Sequence, residues 1–302
     1  MRKGNKKFFL LFIYSLLLFI FFFSVCTTLY AYWQVSKSTQ NKKSNFNVLI
    51  REFNWFDHND YTDDGIGLSS NKYFKVRIPI SRELLNEAIQ SYGLPEEWFD
   101  ITYTDFIDKV KKQVDLRKRL AARGINYVAI ENRIASIDYN WMISKSFYHT
   151  QQPFDVLYEE SKKNGYNDSR KIFGFFSSFV QNIPYGYVPE WRIGPTGKKI
   201  YIYGITMPLE TLANGFGDCD TKSVLFASLI SHFRNVKVIF IELEQHIFVG
   251  VNMVPKRGEY YIQYRLGKYV LIEMTHPWPM GTISEDIWRQ VKMRRFKTYR
   301  VV

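Results

Sequence analysis

The stretch Gly215-Phe216-Gly217-Asp218-Cys219-Asp220-Thr221-Lys222-Ser223, with Val224-Leu225-Phe226-Ala227-Ser228-Leu229-Ile230 behind it, limits what this chain can fold into more than any other. Its glycines allow a sharp turn. The apolar residues Val224, Leu225, Ala227, Leu229 and Ile230 then recur at helical spacing, and Asp218 or Asp220 supplies a cap. Downstream the period changes. Residues 236–243, 246–251, 259–262 and 269–273 are rich in β-branched and aromatic types and are separated by turn signals, which predicts an antiparallel meander packed on the cysteine helix. Helical patterns over 154–162 and 169–181 precede the loop. Helices first and a sheet second predict an α+β domain over 151–288.

The chain has two cysteines, and Cys26 lies in an apolar run, so Cys219 is the one thiol of the remainder. A thiol at a helix N-terminus meets unpaired N–H groups and the positive end of the helix dipole, which favour the thiolate. A buried structural cysteine is the alternative. With no second cysteine outside the apolar run there is no disulfide partner, and a single Cys with scattered histidines is a poor zinc set. No metal and no cofactor is expected.

A nucleophilic thiol needs a base and a group to orient that base. Of the five histidines (His58, His149, His232, His246, His276), His232 falls at the far end of the cysteine helix, whereas His246 opens the second strand of the meander. Glu273 closes the last strand. If those strands are neighbours, the carboxylate can accept from the imidazole and set its tautomer. One cysteine at a helix start, then one histidine and one carboxylate on following strands, favours the nucleophile over the buried thiol.

The N-terminal half carries no catalytic pattern. Residues 8–25 hold no charge and are long enough to cross a bilayer. Arg2, Lys3, Lys6 and Lys7 precede them, and Tyr30, Tyr32 and Trp33 suit an aromatic belt. The expectation is a cytoplasmic basic segment at 1–7, a single-pass signal anchor at 8–33, a polar stalk at 34–45, and an extracytoplasmic remainder in the periplasm or at the cell surface. Residues 46–150 predict a smaller region of mixed strands and helices. Two strands flank an acidic loop there, whose EF-hand frame from Asp60 fails because Asn71 stands where a bidentate Glu belongs. A helix over 105–123 is expected to turn Phe106, Val110, Val114 and Leu120 inward and Lys111, Lys112, Arg117, Lys118 and Arg119 to solvent. The net charge of +12 is not concentrated in any block with interleaved aromatics, so nucleic acid is not an expected partner. The basic stretch at 289–302 reads as a solvated tail.

The segment Pro208-Leu209-Glu210-Thr211-Leu212-Ala213-Asn214-Gly215-Phe216-Gly217-Asp218-Cys219-Asp220-Thr221-Lys222-Ser223 resembles the nucleophile motif of the bacterial transglutaminase-like superfamily. Phe179-Val180-Gln181-Asn182-Ile183-Pro184-Tyr185 before it, the strand from His246, and Leu271-Ile272-Glu273-Met274-Thr275 with Gly281 after it match the same family in order. The resemblance covers roughly 155–286. It implies a papain-like fold and a triad of Cys219 as nucleophile, His246 as general base and acid, and Glu273 as orienter where Asp is commoner. It also implies an oxyanion site at the Cys219 backbone N–H, for which Gln181 is a candidate side-chain donor, though it could equally cap its own helix. Tyr185 and Trp191 are candidate substrate contacts. The expected protein is then a membrane-anchored, extracytoplasmic thiol enzyme cleaving peptide or carboxamide bonds of an envelope protein or peptide through a thioester, with water favoured over an amine as acceptor. The alternative is a non-catalytic envelope module that keeps the fold as a binding or assembly surface. Oligomeric state is not legible in the sequence.

Overall fold

The protein was analysed as a computed structural model, which describes residues 47–59, 72–100, 102–129 and 134–302. Strands β1 (Val48–Phe56) and β2 (Tyr73–Ser81) pair as a two-stranded sheet. β2 buries Phe74, Val76, Ile78 and Ile80 at every second position, as a strand with one covered face must. Ser81 then caps α1 (Arg82–Ser91) by accepting from the Leu84 N–H. Next come β3 (Leu94–Pro95), α2 (Phe106–Ala121) and the hairpin of β4 (Ile125–Ala129) and β5 (Ile134–Ile137). Two long helices follow, α3 (Tyr139–Lys163) and α4 (Ser169–Asn182), capped by Asp138 and Asp168. β6 (Trp191–Ile193) and β7 (Lys199–Tyr201) join β3 in a three-stranded sheet and lead to α5 (Pro208–Asn214) and α6 (Cys219–Ile230). The chain ends in β8 (Val238–Glu242), β9 (Ile247–Asn252), β10 (Tyr261–Tyr264), β11 (Gly267–Ile272), α7 (Glu285–Lys292) and β12 (Lys297–Arg300).

Helix α6 is the centre of the core. All its residues from Thr221 to Ile230 are buried, and it packs against α3, α4, α5 and β9. A helix apolar on every side can be stable only where neighbours cover every side. The five-stranded sheet, in the order β10-β11-β9-β8-β12, lies beside it. Val238, Phe240, Val249, Val251 and Ile272 face the α6 core. Ile239, Ile241, Phe248 and Leu271 face the opposite way and are covered by Ile283 and by Val291 of α7. Covering on both faces explains why β8 reads as an unbroken apolar run.

Several expectations are corrected. The fold is mixed α/β, not a helices-then-sheet papain-like core with a companion domain. Four sheets are interleaved with helices along the chain. The N-terminal hairpin belongs to the same core, because Trp55 lies 5.2 Å, ring to ring, from both Phe175 and Phe179 of α4 and 5.3 Å from Phe74. The expected boundary at residue 150 falls inside α3. Among the described residues no helix is long and apolar enough to cross a membrane, and the segment 8–33 lies outside them, as does the acidic loop at 60–71.

The predicted meander is corrected as well. β11 inserts between β9 and β10, so consecutive strands β9 and β10 are not neighbours. The basic C-terminal stretch is not a loose tail, since α7 covers the outer sheet face and β12 pairs with β8 along its edge. Finally, α2 is turned from the expected face: Leu120 is buried as expected, but Phe106, Val110 and Val114 are not. Leu116 is buried in their place.

Candidate active site

The loop before α6 is built from its glycines and aspartates. Gly215 takes a left-handed φ of 75° and ends α5 by donating its N–H to the Thr211 carbonyl at 2.9 Å. Gly217 has no room for a side chain, because a Cβ there would meet Thr221 Cγ2 at 2.9 Å. Its N–H donates to the Pro184 carbonyl, and its own carbonyl accepts from the Gly186 N–H, both at 3.2 Å. This short parallel bridge carries Tyr185 to the nucleophile loop. Asp218 is the N-cap of α6, and Asp220 Oδ1 accepts the Thr221 N–H at 2.8 Å. Both aspartates that sequence offered as caps therefore bond the same first turn.

Cys219 is the first residue of α6, free and partly exposed. Its backbone N–H has no acceptor within the helix and is open to an oxyanion. His246 sits in the β8–β9 turn, closed by the Leu243 N–H donating to the His246 carbonyl at 2.7 Å. Because β11 lies beside β9, with Ile272 opposite Val249, Glu273 emerges next to that turn. His246 Nε2 lies 2.7 Å from Glu273 Oε2, and Cys219 lines the same cleft as the ring. With Nε2 taken by the carboxylate, Nδ1 is the nitrogen left for the sulfur. Histidine and glutamate are thus bonded to each other, with the cysteine beside them in the cleft.

The electrostatics of this pair follow from what surrounds it. Burial alone would push the His246 imidazole down. The neighbouring Cys219 and Glu273 outweigh burial and hold it up at about 10. Burial would raise the Glu273 carboxyl, whose side chain is 1% exposed, but His246 and Thr275 hold it below the ordinary range. Thr275 fixes the second oxygen, since its N–H and Oγ1 donate to Glu273 Oε1 at 2.8 and 2.6 Å. Sequence reasoning gave Thr275 no role, though its position two residues past the orienter is the signal: Ser and Thr bond neighbouring groups of this kind.

Gln181 is corrected. Its Nε2 donates to the backbone carbonyls of Glu273 and Trp278, each at 2.8 Å, so both amide protons are committed and neither serves an oxyanion. It positions the segment bearing Glu273. Lys222, one turn beyond Cys219, is fully buried and donates to the carbonyls of Gln181 and Ile183 at 3.0 and 2.8 Å, closing the C-terminal end of α4. Burial pushes its ammonium down to about 8 against the opposing pull of Glu273. Its polar neighbours Asp220, Thr221 and Ser223 gave no sequence signal for this role, which follows from burial, because a buried cation must find acceptors.

Two clefts meet at the triad. One of about 300 Å³ is lined by Cys219, His246, Tyr139, Tyr185, Tyr187 and Tyr203 together with Glu190, Asp218, Asp220, Glu242 and Glu244. Among the described residues no lysine or arginine lines it. Burial and then the neighbouring Asp218 push the Asp220 carboxyl well above the ordinary carboxylate range. The other cleft, of about 610 Å³, is lined by Tyr185, His246, Glu273, Thr275, His276, Trp278, Ser284 and Ile287. Tyr185 borders both. Trp191 borders neither; its ring is covered by Lys199 Nζ at 4.4 Å.

His232 stands apart from the triad, stacked on Phe147 and Phe154 at 4.3 and 4.7 Å. Among the described residues no group of three or more His, Cys, Asp or Glu is arranged to hold a metal. The arrangement sets a thiol at a helix N-terminus beside an imidazole that a buried carboxylate orients, the parts that thiol-based acyl transfer requires. No family model, curated protein or solved structure matches this chain, so the transglutaminase-like resemblance stands on the quoted residues alone.

Proposed function

We propose that this protein is a transglutaminase-like thiol enzyme that transfers the acyl group of a carboxamide or peptide through Cys219. The observation that carries the reading is an imidazole bonded at 2.7 Å to the buried Glu273 in the cleft that also holds Cys219 at the start of α6. With the thiol's proton already on His246 Nδ1, the sulfur attacks the carbonyl carbon as a thiolate. The oxyanion that forms lies against the N-terminus of α6. The C–N bond then breaks, the imidazolium returns its proton to the leaving amine, and a thioester remains. Water, deprotonated by His246, attacks the thioester, the C–S bond breaks, and the acid leaves with the thiol restored. The clefts on either side of Tyr185 and His246 give the acyl and leaving sides separate space.

A second acceptor is favoured by one feature. The cleft beside Cys219 is lined, among the described residues, by five carboxyl-bearing residues and by tyrosine rings, without a lysine or arginine, which suits an ammonium or an amine at least as well as water. The test is alkylation of Cys219 by iodoacetamide across pH, followed by peptide mapping to separate Cys219 from Cys26. The reading expects rapid, His246-dependent modification near neutrality and a marked loss in His246→Ala. Equal rates in the two proteins, with no turnover of peptide or carboxamide libraries, would sink it. Adding a primary amine to an active preparation then separates transfer from hydrolysis by the mass of the product.

A further inference from the structure

Helix α2 is attached to the body along one edge. Leu116 and Leu120 are its buried residues, and they pack with Leu94, Phe99 and Ile125 in a small satellite cluster. At 100° per residue, Phe106, Val110, Val114 and Ile107 fall together on a different arc. They are 78%, 43%, 47% and 67% exposed, respectively, and Tyr103 just before the helix is 38% exposed. A contiguous apolar stripe left in water marks an interaction surface, whereas scattered exposed residues do not.

The charges on α2 are sorted around that stripe. Its two acidic residues, Asp108 and Asp115, lie on the far side and are neutralised within the helix by Lys112 at 2.8 Å and Arg119 at 3.1 Å. Lys111 and Lys118 border the stripe and Arg117 lies within it. All three are exposed and make no ion pair among the described residues. An apolar arc edged by unneutralised cations is the pattern of a helix lying in a membrane interface, with apolar side chains at the acyl boundary and cations at the phosphates. The helix is already formed and capped, Asp105 accepting the Asp108 N–H at 2.8 Å, so docking carries no cost of folding it. A second copy meeting this face would set like-charged rows against each other. An anionic bilayer neutralises them.

We infer that α2 docks the protein on an anionic lipid bilayer, with Phe106, Ile107, Val110 and Val114 at the acyl boundary and Lys111, Arg117 and Lys118 against the headgroups. This is independent of the acyl-transfer reading. Tyr203, on the rim of the cleft beside Cys219, packs on the same satellite cluster, so docking holds that rim near the membrane surface.

The test uses the full chain with Cys26→Ser and Cys219→Ser, carrying a single spin label at Val110→Cys or, on the opposite face, at Asp115→Cys. Residues 8–25 give the chain a separate means of reaching lipid, so the readout must be local to α2. Label accessibility to oxygen and to a water-soluble nickel complex is measured in vesicles of phosphatidylcholine alone and with phosphatidylglycerol added. The Val110→Cys label is expected to become oxygen-accessible and nickel-protected in the anionic vesicles, while the Asp115→Cys label stays open to nickel. Joint Lys111→Glu, Arg117→Glu and Lys118→Glu substitutions, at exposed positions whose helix content is checked by circular dichroism, should lower the docked-to-undocked ratio at least about tenfold. A Val110→Cys label equally open to nickel in both vesicle types overturns the inference. So does one shielded from nickel and oxygen alike in proportion to protein concentration, which would assign the stripe to a second copy.

Discussion

Replacing Glu273 by glutamine tests the triad most directly, because it removes one charge and almost no volume. Glu273 Oε2 lies 2.7 Å from His246 Nε2 in a site where the carboxylate is 1% exposed. The imidazole is held at about 10 against an ordinary 6.5. A buried carboxylate at contact distance raises a neighbouring cation by about 1–3 units, equivalent to about 1.4–4 kcal/mol. Glu273→Gln should therefore bring the His246 midpoint down to between about 7 and 9.

The amide also faces a conflict of donors. Thr275 presents an N–H and a hydroxyl at 2.8 and 2.6 Å, which the glutamine carbonyl would accept, turning its NH₂ toward His246 Nε2. In the neutral ring that arrangement leaves the proton on Nδ1, where it cannot receive the thiol's proton, so turnover should fall by about 10²–10⁴-fold. The assay is a pH titration of ¹⁵N-histidine-labelled full-length protein by NMR, with His246 assigned by His246→Ala. Stability follows the same sign. A folded midpoint raised above the unfolded one gives stabilisation that is complete below about 6.5 and is lost as pH rises through about 10. In Glu273→Gln that loss begins at lower pH. A His246 midpoint that stays near 10 after the substitution would refute the assignment of Glu273 as its support.

Thr275→Val should preserve the fold yet lower the His246 midpoint by less than Glu273→Gln does, since Glu273 keeps its charge and the Thr275 N–H; a shift as large as that of Glu273→Gln in the same titration would contradict this. Lys222→Met should cost about 1.5–3 kcal/mol in chemical denaturation, because the Gln181 and Ile183 carbonyls lose a charged donor inside the core. An unchanged denaturation midpoint would show those carbonyls satisfied otherwise. Gly217→Ala should cost about 1–3 kcal/mol, as its Cβ meets Thr221 Cγ2 at 2.9 Å, and should slow Cys219 alkylation with it.

The helix after Cys219, its aspartate caps and the strands bearing His246 and Glu273 were legible in sequence, because each rests on a local signal: capping residues, helical spacing, β-branched runs. Gln181 and Trp191 mark where such signals stop. Gln181 stands near the nucleophile in the chain, but the use of its amide depends on two carbonyls more than ninety residues away. Trp191 is an aromatic in the right loop whose ring happens to meet Lys199. The orientation of α2 was misread for a related reason. Periodicity shows that a helix has an apolar arc and says nothing of what covers it, and here two leucines on another arc met the body instead.

The sequence by itself determined a thiol at a helix start with no disulfide partner, a histidine and a carboxylate on later strands, and glycines where the loop must turn. Tertiary structure decided that β11 rather than β10 lies beside β9. Strand order is a long-range choice made by which faces bury together, and no local propensity encodes it. That one adjacency brings Glu273 within 2.7 Å of His246, in the cleft that Cys219 also lines.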